Sequence, residues 1–265
     1  MFNFSKTAFA SACACAACSA SAEEPRDMLY QVSTIQALTA GDYHSIISVK
    51  DLLKHGDTGL GTFENLDGEM IVLEGVCYQA RGDGSVSVCD PDTGVPFAAV
   101  TFADKDAKIE FSEPVDFDGV KAVLAAKIRE IGRNSFYAAV IKGEFSLISY
   151  RSELKQVEPY RPLDRVMESD QRFFELKNAE GTIVALYVPK YAGGINAAGW
   201  HLHFLDASKK NGGHVVGFSM TKGSGYIDKT DSILIDLPDT GYFSGLDLES
   251  QDEAVGKVER GEGNR

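Results

Sequence analysis

The stretch Gly-Trp-His-Leu-His-Phe at residues 199–204, followed by Gly-Gly-His at residues 212–214, decides how the second half of the chain folds. In a strand the side chains alternate between the two faces, so His201 and His203 point the same way. The polar segment after them ends in Asn-Gly-Gly, which favours a tight turn. A hairpin folded at this turn brings His214 back beside the first two histidines.

These three histidines form a set that could bind a metal ion. Imidazoles on one face of a sheet suit Zn²⁺, Fe²⁺, Mn²⁺ or Ni²⁺. Three protein ligands leave open coordination positions, which is the pattern of catalytic sites, whereas structural sites usually have four ligands. We therefore predict a catalytic metal centre on His201, His203 and His214. The alternative is two half-buried core histidines and one loop histidine.

The composition is that of a globular protein with an acidic excess. A chain of 265 residues can bury a sizeable core, as one large domain or two small ones. Its net charge of −13, from 39 acidic and 26 basic residues, argues against a general nucleic-acid binder, which needs a basic surface. From residue 23 onward no segment approaches the roughly 18 apolar residues that a membrane span needs.

The first 22 residues differ from the rest of the chain. After Lys6 they are an uncharged run rich in Ala, Ser and Cys, which ends in Ala-Ser-Ala at residues 20–22. This pattern is typical of a secretory signal peptide with a small-residue cleavage site. We therefore expect a secreted or cell-envelope protein. A lipid-modified Cys18 and a cytoplasmic leader are the alternatives.

Only two cysteines remain if the leader is removed, Cys77 and Cys89. Both follow or lie within strand-like runs, and buried thiols are the simplest interpretation. They could pair if two adjacent strands carry them, because a disulfide requires a specific separation of the two backbones.

Periodicity along the chain predicts an α+β fold. Short helices are expected after Ser33-Thr34 and after Ser48, whose hydroxyls can cap them, and a longer amphipathic helix over residues 119–131. One strand is expected over residues 70–78, and a series of strands in the second half. The expected units are a signal peptide (1–22), an N-terminal mixed sheet with helices (23–158), a strand-rich antiparallel or barrel-like domain that carries the histidines (159–246) and a charged C-terminal tail (247–265).

Several blocks of the chain are specific when taken together: TIQALTAGDY, GDTGLGTFENLDGEM, FYAAVIKGEF, Arg151-Ser152, VPKYAGGINAAGWHLHFL and GGHVVGF. Over roughly residues 30–259 they resemble the α-acetolactate decarboxylase family. The resemblance implies a two-domain α/β homodimer with one catalytic zinc on the three histidines. It also implies a catalytic glutamate at Glu69, in the LDGE block, and a catalytic arginine at Arg151.

The resemblance is less complete at two places. A second catalytic glutamate is expected in the C-terminal tail, where Glu259 is the best match and Glu262 is a rival. The usual Arg-Thr/Ser-Val-Pro pattern is replaced by Arg-Ser-Glu-Leu at residues 151–154, so the turn after Arg151 is expected to differ.

The implied reaction converts (S)-2-acetolactate (2-hydroxy-2-methyl-3-oxobutanoate) to (R)-acetoin and CO₂, in acetoin and butanediol biosynthesis. Loss of CO₂ leaves two electrons that move into the neighbouring carbonyl as an enediolate, whose charge a dicationic Lewis acid stabilises. The planar guanidinium of Arg151 could bind the substrate carboxylate at two points. Glu69 or Glu259 could deliver the proton that forms the product.

Two other functions fit parts of the sequence. The Gly-x-His-x-His pattern resembles the first motif of cupin metal oxygenases, but that motif needs a glutamate where Asp206 and Ala207 stand. The leader is also compatible with a non-catalytic metal- or ligand-binding protein of the cell envelope. Product formation, and whether it depends on oxygen, distinguishes the three functions.

Overall fold

The computed structural model describes residues 27–260, so the expected signal peptide and Glu262 lie outside the described residues. Its strands are β1 (Met28–Val32), β2 (Ile47–Ser48), β3 (Thr58–Thr62), β4 (Glu69–Leu73), β5 (Val76–Ala80), β6 (Val86–Val88), β7 (Gly94–Val95), β8 (Phe97–Thr101), β9 (Ala107–Phe111), β10 (Val115–Asp116), β11 (Phe136–Glu153), β12 (Gln171–Val188), β13 (Gly199–Asp206), β14 (Gly212–Thr230) and β15 (Ser232–Asp236). Its α-helices are α1 (Ile35–Thr39), α2 (Val49–Leu52), α3 (Phe117–Ile131), α4 (Leu163–Ser169), α5 (Gly241–Ser244) and α6 (Asp252–Arg260). Among these helices none is long and apolar enough to cross a membrane.

The helices α1, α2 and α3 in the first half of the chain begin at side-chain caps. The hydroxyl of Thr34 caps α1 and that of Ser48 caps α2, as the sequence predicts, and the carboxylate of Asp116 caps α3. Each cap accepts a hydrogen bond from an otherwise unpaired backbone N–H of the first turn. Helix α1 is followed by Gly41 at φ +97°, a conformation that glycine adopts at little cost.

The first sheet has seven strands in the order β15-β1-β8-β3-β4-β5-β6. It is mixed, as predicted, because β1 and β15 are parallel while the other neighbours are antiparallel. Helix α2 covers one face of this sheet, where Val49 and Leu52 pack against Tyr30, Met70 and Val72.

The second sheet is antiparallel and is formed by β9 to β14. Strand β13 pairs with β12 and also with the first residues of β14, so the sheet closes on itself at that end. Strands β9, β10 and β11 precede residue 158, whereas β15 follows it and belongs to the first sheet. The two sheets therefore do not follow the expected boundary between residues 158 and 159.

Apolar contacts join the two sheets along β4. Side chains of Ile71 and Leu73 pack against Val140, Val184 and Leu205 of the second sheet, whereas the intervening residues of β4 face α2. Each such buried aliphatic side chain contributes about 1.5–3 kcal/mol through removal from water. The alternation places Glu69 on the same side of β4 as Ile71, toward the second sheet.

The single strand expected over residues 70–78 is instead a hairpin of β4 and β5. The chain turns at Glu74 and Gly75, whose φ angles are +52° and +76°. Because both faces of the sheet are covered, the strands before and after the turn are almost continuously apolar and hide it. The series of strands expected in the second half includes one long strand, β12, of 18 residues.

The C-terminal segment, expected as a charged tail, contains helix α6. Val255 of this helix is buried in an apolar cluster with residues of α1 and α4, which holds the helix against the body of the protein. Its partners in the cluster include Ile35, Leu38, Leu163, Val166 and Met167.

Candidate metal centre

The β13–β14 hairpin brings together the three predicted histidines. His203 pairs directly with His214 across the hairpin, and His201 lies two residues before His203 on the same face. Nε2 of His201 lies 3.1 Å from Nε2 of His203 and 2.9 Å from Nδ1 of His214. Two nitrogens bound to one tetrahedral zinc lie about 3.3 Å apart, so these separations are close to those of a shared ligand shell.

The turn between the two strands is organised by Asp206. Its carboxylate accepts hydrogen bonds from Ser208 Oγ at 2.6 Å, from Asn211 Nδ2 at 2.9 Å and from Lys210 N at 2.8 Å. Gly213 follows at φ +151°, where a Cβ atom would collide with a backbone oxygen of the neighbouring strand. The turn therefore fixes the register that places the histidines opposite one another.

The histidine rings are held neutral. Burial lowers the pKa of His203 to about 4, and burial lowers the pKa values of His201 and His214 well below their usual range. The positive charge of Arg151 lowers all three further. Nδ1 of His203 donates to the carbonyl of Met70 at 2.7 Å, so its Nε2 carries the lone pair that faces the other rings.

These features fit a divalent metal ion. Three neutral nitrogen donors converge, with all ligand atoms within 4.8 Å of one another. Nδ1 of His201 is buried and has no hydrogen-bond partner among the described residues. Nitrogen donors without a thiolate or a fourth histidine are typical of a site with open positions.

Glu69 lies beside the histidines at the start of β4. Its Oε2 is 3.2 Å from Nε2 of His203, and its Oε1 is 3.9 Å from Nδ1 of His214. Burial and a hydrogen-bonded neighbour, Glu153, raise the pKa of Glu69 well above its usual range, while Arg151 opposes this shift. Two buried carboxyl groups in contact favour a shared proton.

Arg151 enters the site from β11, the strand next to β14. It pairs with His214 in the register of the sheet and is 5% exposed. Its Nη1 donates to Oε1 of Gln171 at 2.7 Å, which fixes one side of the guanidinium plane. The structure thus places a buried cation next to the histidine cluster.

A small cavity of about 60 Å³ opens onto His201, His214, Glu69 and Arg151. Its polar side is formed by these residues and Glu153. Its apolar side is formed by Ile35, Leu38, Leu66, Phe97, Leu163 and Met167. A larger and more open cavity of about 810 Å³ contains none of the histidines, so size alone does not identify the site.

Sequence reasoning missed Glu153 and the apolar wall from α1 and α4. Glu153 lies two residues after Arg151 on the same strand. This spacing places both side chains on one face and could have identified Glu153 from the sequence. Glu259 lies in the last turns of α6, but its side chain is outside the described residues, and so is all of Glu262.

Comparison with known proteins shows the family of the chain. A family model described as alpha-acetolactate decarboxylase matches residues 29–250. The chain belongs to this family. Among curated α-acetolactate decarboxylases it is 37% identical to that of Methanosarcina mazei over 88% of this chain and 81% of the relative, and 38% identical to that of Methylococcus capsulatus over 87% and 88%. The crystal structure of the family member from Bacillus subtilis superposes with a TM-score of 0.84 at 32% identity, covering 89% of this chain and 99% of that one.

Proposed function

We propose that this chain catalyses the decarboxylation of (S)-2-acetolactate to (R)-acetoin and CO₂ with a zinc ion held by His201, His203 and His214. The observation that carries the proposal is the convergence of three neutral imidazoles, two of which line a small cavity together with Arg151 and Glu69. Family membership supports the reaction, since the curated relatives carry the name of that activity.

The metal would supply a Lewis acid that polarises the ketone and stabilises the negative charge that remains when CO₂ leaves. The histidines contribute by remaining neutral. A protonated imidazole has no free lone pair with which to bind the ion, and its positive charge would repel the ion. Their burial favours the neutral form across the physiological pH range.

Arg151 binds and orients the substrate carboxylate in this proposal. Its guanidinium is buried, so an ion pair with a carboxylate is less screened than one at the surface. Gln171 accepts a hydrogen bond from Nη1 of Arg151. The other N–H groups of the guanidinium would then bind the substrate carboxylate. A fixed carboxylate holds the breaking C–C bond in one orientation relative to the ketone.

Glu69 donates the proton that completes the product. Its pKa is raised by burial and by Glu153, so its carboxyl group retains a proton where an ordinary surface glutamate would lose it. Glu259 is the second candidate donor, since α6 packs against the same helices, α1 and α4, that form the cavity wall.

The apolar wall gives the reaction a dry environment. Leu38, Phe97 and Met167 line the same cavity as the charged residues, and their apolar side chains suit the methyl groups of a small substrate. Exclusion of water strengthens the electrostatic interactions of Arg151 and of the bound metal.

Two further proposals concern the oligomeric state and the cellular location of the protein. The resemblance to the family supports a homodimer, which light scattering of the purified protein would test. The leader composition supports secretion or location in the cell envelope, and determination of the mature N-terminus would test cleavage near residue 22.

The decisive experiment measures acetoin release from racemic α-acetolactate by the full chain, with and without a chelator, in air and without oxygen. We expect release that the chelator abolishes, that zinc restores and that does not depend on oxygen. A His201→Ala/His203→Ala double variant is the matched control. Release no faster than the spontaneous background from folded, zinc-loaded protein would refute the proposal and favour a binding protein; oxygen dependence would favour an oxygenase.

Replacement of the two glutamates tests the proton step. Glu69→Gln should slow the release of acetoin or change its handedness, measured by chiral chromatography, while zinc content stays at the wild-type level. The same measurements on Glu259→Gln and on Glu262→Gln, compared with each other, decide between the two C-terminal candidates. Unchanged rate and handedness in all three variants would remove these carboxyl groups from the mechanism.

A further inference from the structure

A cluster of three aspartates lies where the loop after β8 meets β14. Asp104 and Asp106 belong to the loop and Asp228 to β14, and carboxylate oxygens of the three lie within 4.8 Å of one another. Backbone contacts fix the cluster from both sides: Asp104 N donates to Asp228 Oδ1 at 3.1 Å, and Lys229 N donates to Asp106 Oδ2 at 2.8 Å. His214 stands near the opposite end of β14, so this cluster is separate from the histidine site.

Asp228 is the most unusual member of the cluster. Its side chain is fully buried, and its Oδ2 has no hydrogen-bond partner among the described residues. Buried polar groups in folded proteins are nearly always paired, because an unpaired one loses its contacts with water without compensation. Oδ2 of Asp228 belongs to the carboxylate that lies beside those of Asp104 and Asp106. A cation bound to the three carboxylates would give this oxygen a partner.

The lysines of this segment make contacts elsewhere. Nζ of Lys229 lies 2.6 Å from Oδ1 of Asp231, and Nζ of Lys105 lies over the ring of Tyr226 at 5.2 Å from its centroid. Three carboxylates held together without a cation among them would repel one another. Burial and the hydrogen-bonded Asp104 raise the pKa of Asp228 to about 8, so a retained proton or a cation from outside the chain can relieve this repulsion.

We propose that Asp104, Asp106 and Asp228 bind a calcium ion that ties the loop after β8 to β14. The donor set consists of carboxylate oxygens, which calcium prefers, whereas zinc prefers the nitrogen donors of the histidine site. Asp104 and Asp106 are exposed to solvent, which leaves space for the water molecules that complete the six to eight oxygen ligands typical of calcium. Calcium binding at this cluster does not depend on the decarboxylase reaction.

Calorimetric titration of CaCl₂ into zinc-loaded full-length protein, prepared in calcium-depleted buffer, tests the site. We expect one calcium ion per chain in the wild type and an affinity at least about tenfold lower in Asp106→Asn and in Asp228→Asn. Asp231→Asn is the matched control, since it removes a neighbouring carboxylate that pairs with Lys229, and its affinity should stay near the wild-type value. Zinc content, measured by mass spectrometry, should be equal in all four proteins.

Thermal unfolding provides a second readout. Calcium should raise the unfolding temperature of the wild type by mass action and leave that of Asp106→Asn unchanged. Asp106 is exposed, so this variant decides the question even if Asp228→Asn folds poorly. No heat of binding at millimolar calcium, or equal affinity in Asp106→Asn and the wild type, would overturn the proposal. Preference for Mg²⁺ over Ca²⁺ would overturn the choice of ion.

Discussion

The backbone carbonyl of Met70 accepts a hydrogen bond from Nδ1 of His203 at 2.7 Å. Met70 lies on β4 of the first sheet, and His203 lies on β13 of the second. The preceding residue, Glu69, reaches Nε2 of the same imidazole at 3.2 Å. One strand of the first sheet thus orients a histidine of the candidate metal site that the second sheet carries. In metal sites, hydrogen bonds of this kind fix the orientation of the imidazole ring.

Loss of one histidine should remove the metal. We expect His203→Ala to purify with little zinc and to show acetoin release at the background rate, because two imidazoles cannot retain the ion at neutral pH. The measurement is zinc content by mass spectrometry beside the rate. His44→Ala is the matched control, since His44 lies outside the cluster and hydrogen-bonds to Asp42. Full zinc content in His203→Ala would show that the ion binds elsewhere.

Arg151 should matter for turnover and not for zinc. Arg151→Ala is expected to lower kcat/KM by about 100-fold or more, because the substrate carboxylate loses its orientation. Arg151→Lys should recover only part of this loss, since an ammonium lacks the planar fork. Gln171→Ala, which removes only the partner of Nη1, should have a smaller effect. Zinc loss in Arg151→Ala would give the arginine a structural role.

Asp206 should make stability depend on pH in the acidic range. Burial alone would raise its pKa, but hydrogen bonds from Ser208, Asn211 and Lys210 outweigh burial and lower it. A lowered folded-state pKa stabilises the protein above the unfolded value of about 3.9, and this contribution is lost as pH falls through the folded pKa.

In zinc-free protein, Asp206→Asn should therefore lower the free energy of unfolding at pH 7 by about 1–3 kcal/mol. The difference from wild type should shrink as the pH falls below the folded pKa of Asp206. Urea unfolding over a pH series measures this, with the exposed Asp239→Asn as control. A difference that stays constant with pH would contradict the assignment.

Cys77 and Cys89 should form a disulfide under oxidising conditions. They lie on and just after the neighbouring strands β5 and β6, their Sγ atoms are 3.0 Å apart, and Cys89 N donates to Cys77 O at 2.9 Å. During refolding with oxidised glutathione, the two thiols would give up two electrons and two protons, and glutathione disulfide would be reduced to two thiols.

Mass spectrometry after alkylation should show neither thiol modified once the pair has formed. The disulfide should raise the free energy of unfolding by about 2–4 kcal/mol, because it restricts the unfolded chain. Cys89→Ser provides the comparison. Complete alkylation of both thiols after refolding in the same buffer would rule out the pair.

The hairpin of histidines was predictable because its determinants are local. The spacing of His201 and His203 needs only strand alternation, and the Asn-Gly-Gly turn that returns His214 is a recognised signal. The caps at Thr34 and Ser48 were predictable for the same reason. Arg151 and Glu69 were found through resemblance to the family, since nothing in their own neighbourhoods indicates a site.

Other features depend on distant contacts that the sequence does not express. The apolar wall of the cavity comes from α1 and α4, whose residues look like ordinary core residues. Helix α6 was expected to be a tail because its charges dominate the composition, whereas burial of Val255 decides its position. The turn at Glu74 was hidden because the strands on both sides of it are buried on both faces.

The turn at Glu74 also limits which changes in length this chain can accept. Glu74 and Gly75 set the register of β4 against β5, and a one-residue shift would exchange the two faces of β4. Glu69 would then point toward α2, and the side chain of Met70 would enter the cavity. Insertion of a single residue at this turn should therefore disturb the histidine site, although the turn lies at the other end of β4 from the histidines. Surface loops that set no such register should accept additional residues.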